Sequence, residues 1–168
     1  MRENPNPQMR LPDFVGIGAM RSGTSWLRKQ LERHPQVWTA TPKELHFFDR
    51  HFTGDLEDYT ANFETAPPGQ VAGEITPAYA ILESSMIETV RRWMPEVKLL
   101  FMMRDPVARA WSHARKDFPQ FRDKSVEQAS DDELISFMEL PAVVARGDYL
   151  GCLQRWLEHF PAGQLWCG

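Results

Sequence analysis

The stretch that most constrains this chain runs from Phe14 to Leu27, FVGIGAMRSGTSWL, where a short apolar run opens into a glycine-bearing turn and then a helical pattern. It reads as a strand, a loop and a helix start. Gly16, Gly18 and Gly23 suit a backbone that turns tightly and lets a ligand approach closely. Ser22, Thr24 and Ser25 offer hydroxyls and N–H groups at the helix N-terminus, so the loop suits an anion. Gly18 and Gly23 have the spacing of the two glycines of a Walker A loop, but Thr24 stands where that motif has Lys, and the nearest cation is Arg21 inside the loop. The anion cradle is present and the lysine of a nucleoside-triphosphate site is not.

The rest of the chain alternates in type. A helix is expected from about Ser25 to Arg33, ended by His34-Pro35, with Trp26 a core or rim aromatic by its spacing. Val37 to Ala40 suits a short strand, and Thr41 to Asp49 packs a carboxylate, an imidazole and an ammonium among apolar side chains. Such a setting can shift a pKa and make a general base, or it can be an amphipathic turn with solvated charges. Leu56, Tyr59 and Phe63 share a helical face, Val71 to Ile75 reads as a strand, and Ile81 to Trp93 as a helix stopped by Pro95. VKLLFMM, Val97 to Met103, reads as a strand buried on both faces at the sheet centre. A helix from about Val107 to Lys116 should follow, then a mobile polar stretch from Pro119 to Asp132. Leu134, Phe137 and Met138 then mark a short helix, and Tyr149, Leu150, Leu153, Trp156 and Leu157 a core-facing stripe on a helix from about Gly147 to His159. This alternation predicts an α/β chain, a three-layer P-loop-like fold with a central parallel sheet flanked by helices. Ligands of such folds bind beyond the C-terminal ends of the strands, where Arg21 to Ser25 and Arg104 to Ser112 both fall.

With 168 residues, 42% hydrophobic and 25% charged, the chain reads as one domain over 1–168 with a loose lead-in at 1–12. The net charge of -4 gives no electrostatic case for a nucleic-acid partner, and no apolar stretch approaches the roughly 20 residues of a membrane span. A soluble, cytoplasmic protein is the expectation. Cys152 and Cys167 lack metal or CxxC spacing and read as reduced thiols.

Four motifs together carry a family resemblance: Arg21-Ser-Gly-Thr-Ser-Trp26, Lys43-Glu-Leu-His-Phe-Phe-Asp49, Glu74-Ile-Thr-Pro-Ala-Tyr79 and Arg104-Asp-Pro-Val-Ala-Arg-Ala-Trp-Ser112. In order and spacing the chain resembles the sulfotransferases that use 3′-phosphoadenosine 5′-phosphosulfate (PAPS), above all the branch that includes the heparan sulfate sulfotransferases and many bacterial relatives. Weaker RGDY and RWLEHFP patterns extend the likeness to about Pro161.

The resemblance implies that Arg21, Ser22, Gly23, Thr24 and Ser25 hold the 5′-phosphosulfate of PAPS, and that Arg104 and Ser112 clamp its 3′-phosphate. Trp26 would stack on adenine, Glu44 would be the catalytic base, and His46 and Asp49 would orient acceptor or base. It implies no metal, and no cluster with metal-ligand spacing is present. The acceptor would be a hydroxyl or amine on a small molecule, lipid or carbohydrate, and a homo-oligomer is possible through an exposed sheet edge. Three departures stand out: Arg21 where many relatives carry Lys, Ile75 where the branch often has Lys, and an end at Gly168 where the family continues with a strand, helices and a closing loop. The chain is therefore read as a shortened sulfotransferase domain. Other classes remain open, a non-catalytic nucleotide-binding relict of the same fold or a P-loop kinase or NTPase. Thr24 in place of Lys and a buried strand running into Arg104 rather than a Walker B Asp weigh against the last.

Overall fold

The computed structural model describes residues 9–168. Five parallel strands, β1 (Phe14–Gly18), β2 (Val37–Thr39), β3 (Val71–Ile75), β4 (Lys98–Phe101) and β5 (Leu165–Cys167), form one sheet in the order β2-β3-β1-β4-β5. The helices α1 (Thr24–Leu31), α2 (Phe47–Arg50), α3 (Leu56–Thr60), α4 (Ser84–Trp93), α5 (Pro106–Arg122), α6 (Asp131–Met138), α7 (Pro141–Ala145) and α8 (Tyr149–Leu157) flank it. This is the expected α/β architecture.

β1, rather than the VKLLFMM segment, is the centre: all five of its residues are buried, and it pairs with β3 on one side and β4 on the other. β4 spans only Lys98–Phe101, with Lys98 exposed. Two of the three early glycines serve this packing, because a Cβ on Gly16 would lie 2.8 Å from Ile75 Cγ1, and one on Gly18 2.8 Å from the Phe101 ring and 2.9 Å from Ala80. Only Gly23 of the three has the left-handed backbone, φ 88, that a turn demands. The chain leaves β1 for β2 on one side of the sheet and leaves β3 for β4 on the other. The loops after β1, β3 and β4 therefore meet at one end of the sheet, the place where open α/β sheets bind ligands.

The main core joins the inner sheet face to Tyr59, Phe63, Phe47, Phe48 and Tyr79, with the Phe48 and Tyr59 rings 4.8 Å apart. A second apolar cluster joins Ala114 and Phe118 of α5 to Val126, Phe137 of α6 and Val143 of α7. That cluster explains two differences from the sequence expectation. α5 runs on to Arg122 through Pro119, although an interior proline costs about 3 kcal/mol, because Phe118 and Phe121 both pack edge-on against Phe137, at 5.6 and 5.7 Å. The stretch expected to be mobile carries a short helical turn, Val126–Gln128, with Ser125–Gln128 and Ser130–Glu133 capping boxes, and buries Val126.

Tyr149, Leu153 and Trp156 of α8 face the core as expected, but Leu150 is 67% and Leu157 42% exposed, at the edge of the stripe. Of the lead-in, residues 1–8 lie outside the described residues. The remainder is tied down: the Arg10 guanidinium donates to the carbonyls of Ala66 (2.8 Å), Pro67 (2.9 Å) and Gln70, and Leu11 packs on the core. Both cysteines are free thiols. Among the described residues no helix is long and apolar enough to cross a membrane.

Candidate active site

At the C-terminal end of the strands, α1 begins at the wall of a cavity. Gly23 caps it without a side-chain hydrogen bond, and its first turn carries no acidic residue. Its open N–H groups carry the equivalent of about half a positive charge. They face a cavity of about 280 Å³ lined by Arg21, Gly23, Thr24, Ser25, Lys43, Glu44, Arg104, Ser112 and Lys116, with Met20 and Pro77 beside them. The β1–α1 loop, the 43–44 segment, the end of β4 and one face of α5 thus converge.

Arg21 takes the left-handed backbone, φ 68, and its Nε donates to Ser112 Oγ at 3.1 Å, so the loop cation is braced from α5. Arg104 Nη1 reaches the Arg21 carbonyl at 3.5 Å. Asp105 does not pair with Arg104; its Oδ1 accepts from Ala108 N at 2.8 Å and caps α5. Lys43 is paired with Glu44, whereas among the described residues no carboxylate lies within salt-bridge distance of Arg21, Arg104 or Lys116. Three cations without an ion-pair partner among the described residues and an open helix N-terminus make a site for a polyanion. A second cavity of about 380 Å³ adjoins the first through Arg21, Arg104, Ser112 and Lys116, and adds Trp111 and Arg115.

Glu44 is held on both sides. Lys43 Nζ donates to Oε1 at 2.6 Å, and His46 Nε2 lies 3.3 Å from Oε2. The other ring nitrogen of His46 lies 2.9 Å from Asp49 Oδ2, which Arg50 Nε approaches at 3.5 Å. Burial pushes the Glu44 carboxyl up, but the Lys43 hydrogen bond and charge, with His46 and Lys116, outweigh it and hold the group below its ordinary value of 4.5. It is an anion at neutral pH. Behind it a third cavity, of about 700 Å³, is lined by Met20, Glu44, His46, Arg50, Lys116, Phe121, Phe137, Leu140 and Arg146, among others. Glu44 therefore stands where the polyanion cavity and this larger cleft meet.

The structure brings Arg21, Gly23, Thr24, Ser25, Glu44, Arg104 and Ser112 to one cavity, with His46 on the far side of Glu44. Ser22 and Trp26 are not among its walls. Ser22 is buried, with its Oγ 3.2 Å from the Tyr149 hydroxyl, and Trp26 is 61% exposed, so it is neither core nor a wall of the three cavities. Trp111 is the aromatic beside the cations. Residue 75, where the resemblance expects Lys, is buried against Gly16, so the cations beside Glu44 come from Lys43 and Lys116 instead. Lys116 escaped the sequence reading although it lies one helical turn past Ser112 on the same face. Tyr149 escaped it too: its hydroxyl donates to the Arg104 carbonyl at 3.0 Å and lies beside Ser22, tying the β4 end to the anion loop. Its place in the RGDY pattern was the available signal.

Comparison with known proteins bears on this constellation. No family model matches the chain. It is 31% identical over 162 residues to heparan sulfate glucosamine 3-O-sulfotransferase 3B1 of Mus musculus, covering 93% of this chain and 40% of that protein. It is 35% identical over 105 residues to the membrane-associated sulfotransferase kil1 of Dictyostelium discoideum, covering 61% of this chain and 22% of that protein. The chain belongs to the sulfotransferase family. The chain also matches the fold of a sulfotransferase from Alicyclobacillus acidocaldarius, with a TM-score of 0.73 and 24% identity over 94% of this chain and 72% of that one. It spans about two fifths, 40%, of the length of the mouse relative.

Proposed function

We propose that the chain transfers a sulfuryl group from PAPS to a hydroxyl or amine acceptor, with Glu44 as general base. The observation that carries this reading is the position of Glu44, an ionised carboxylate shared by a cavity fit for a polyanion and a larger cleft fit for an acceptor. Arg21, Lys116 and the N–H groups of Gly23 to Ser25 would meet the phosphosulfate, and Arg104 with Ser112 the 3′-phosphate. The acceptor oxygen or nitrogen forms its bond to sulfur as the bond from sulfur to the 5′-phosphate oxygen breaks. The electron pair goes to that bridging oxygen, the proton goes to Glu44, and 3′,5′-adenosine diphosphate leaves. Negative charge grows on the bridging oxygen, so cations and N–H groups fixed around it stabilise the transition state more than the ground state.

The mouse relative is by name a heparan sulfate glucosamine 3-O-sulfotransferase. For this chain the larger cleft sets the aromatic wall of Phe121 and Phe137 against Arg50, Lys116 and Arg146, a mixture that suits a small-molecule, lipid or carbohydrate acceptor. The test is transfer of labelled sulfate from PAPS to a panel of polysaccharide, phenol, amine and lipid acceptors. We expect label in at least one acceptor, matched one for one by 3′,5′-adenosine diphosphate. Tight PAPS binding without transfer would make the chain a nucleotide binder, and absence of binding would remove PAPS as its ligand.

A further inference from the structure

The segment that carries Glu44 is fastened from behind by a buried carboxyl that the proposed reaction leaves untouched. Glu74, in β3, is 1% exposed. Its Oε1 accepts from the Tyr59 hydroxyl at 2.9 Å and its Oε2 from the Thr76 hydroxyl at 2.7 Å. Thr76 Oγ1 in turn accepts from Leu45 N at 3.0 Å and lies 3.5 Å from His46 N. The Tyr79 hydroxyl accepts from Phe47 N at 2.9 Å. Three successive N–H groups, immediately after Glu44, thus hang on hydroxyls from the 76–79 segment. His46 sits among them in the left-handed backbone, φ 52, which is costly for a non-glycine residue and persists only where the surroundings enforce it.

We infer that Glu74 is a positioning residue for the carboxylate centre: as an anion it orients the Thr76 hydroxyl, and through it the Leu45 and His46 N–H groups that set Glu44 and His46 in place, and its protonation releases that hold. This rests on the sulfotransferase reading of Glu44. The argument is one of donors and acceptors. A carboxylate only accepts, so both hydroxyl hydrogens point at Glu74, and both lone pairs of Thr76 are free for Leu45 and His46. Once Glu74 is protonated, one of its oxygens becomes a donor. If it donates to Thr76, one lone pair is consumed, the Thr76 hydrogen loses its acceptor, and the backbone N–H groups compete for what remains. If it donates to Tyr59, a fully buried phenol loses its acceptor.

The groups facing Glu74 are Tyr59 from α3, Thr76 and Tyr79 from the turn after β3, and the carboxylate of Asp49 from α2. Burial, and less strongly Asp49, push its carboxyl up; the hydroxyls of Thr76, Tyr59 and Tyr79 pull it down, and the balance is about 7. Burial and the Glu74 charge raise both tyrosines far above their ordinary range, so they remain neutral donors throughout. Among Tyr59, Tyr79 and Glu74, the carboxyl is the group that changes charge near neutrality.

Two measurements on the full chain test this. The first needs no activity: the amide signals of Leu45 and His46 are followed by NMR from about pH 5 to about pH 9. They should move together with one midpoint near 7, shared by the Glu74 side-chain carboxyl, in the parent and in Thr76→Ser, and lose that midpoint in Glu74→Gln and Thr76→Val. Amides that stay flat in the parent, or keep the midpoint in both disabling variants, overturn the inference. Should Glu74→Gln fail to fold, the Thr76→Val and Thr76→Ser pair decides. The second is the pH profile of transfer: kcat should rise through the same midpoint, and Thr76→Val should lower kcat about tenfold or more at high pH, with Kd for PAPS within about twofold and Thr76→Ser restoring the rate. Equal losses in kcat and PAPS affinity would point to general structural damage and overturn the positioning role. Failure of Glu44→Gln to impair transfer would instead remove the reading of Glu44, leaving the NMR result to stand or fall alone.

Discussion

The two halves of the site are built by different means. Around the anion loop, the ligand-facing groups are largely backbone: N–H groups at the start of α1, a left-handed Gly23 and a left-handed Arg21 braced by Ser112. Around Glu44 the working groups are side chains on a four-residue helix and its lead-in, fastened by Thr76 and Tyr79 from the next strand's end and by Lys43 and His46 alongside. A backbone cradle depends less on the identity of its side chains, whereas a side-chain centre depends on every neighbour that orients it. Substitutions should therefore act sharply on chemistry in the second half and on affinity in the first.

The largest effect should come from Glu44→Gln, which keeps the shape and removes the base. Transfer should fall by about 10²–10⁴-fold while Kd for PAPS stays within a few-fold, read by steady-state kinetics and calorimetric titration. Undiminished transfer would erase the distinction between the halves. Next is Arg104→Ala, expected to weaken PAPS by about 2–5 kcal/mol and adenosine 5′-phosphosulfate, which lacks the 3′-phosphate, far less. Ser112→Ala should cost about 1 kcal/mol, part of it from the freed Arg21. Equal losses for the two nucleotides would take Arg104 off the 3′-phosphate.

Stability against pH probes the second half by itself. Folding raises the Glu74 carboxyl from 4.5 to about 7, so the folded state holds the extra proton in that window. Its contribution is fully present below 4.5 and is lost as pH rises to about 7, by about 3 kcal/mol at about 1.4 kcal/mol per tenfold in proton affinity. Urea unfolding of the parent and Glu74→Gln across that range should show the slope in the first and not in the second. Small effects also belong to the glycines at the end of β1 and in the loop after it. Gly18→Ala presses a methyl against Phe101 and Ala80 and should cost about 1–3 kcal/mol, whereas Gly23→Ala meets no neighbour and should cost roughly 1–2 kcal/mol through its backbone alone. If both were neutral in thermal unfolding, neither the packing at the end of β1 nor the left-handed turn would constrain this half of the site.

The same contrast decides what could be read from the chain beforehand. The alternation of apolar runs and helical spacings was enough for a parallel α/β sheet, and glycine spacing with Arg21 enough for an anion loop, because both are local. The sheet's centre was misread because VKLLFMM is more apolar than FVGIG, and apolarity does not reveal that two glycines allow β1 the closest packing. α5 outran Pro119 because Phe137, far along the chain, holds it. Glu44 and His46 came from resemblance; their spacing alone also fits a solvated turn. Trp26 was expected in the core or on adenine from motif position, yet its side chain leaves the cavities and Trp111 lies beside the cations. Glu74 looked like one strand residue of a motif, since only the fold places Tyr59 and Thr76 on its two oxygens.

The Tyr149 hydroxyl, between Ser22 and the Arg104 carbonyl, has a consequence for the order in which this molecule comes into being. Ser22 and Tyr149 are 127 residues apart, so the anion loop leaves a ribosome that many residues ahead of its brace. At about 5–20 residues per second, that interval lasts from several seconds to tens of seconds, long against the microseconds in which a helix forms. A nascent chain would carry α1 and its loop well before α8 docks, and its affinity for a polyanion should appear late and abruptly with that docking. Ligand binding would then report the docking of α8 rather than the formation of α1.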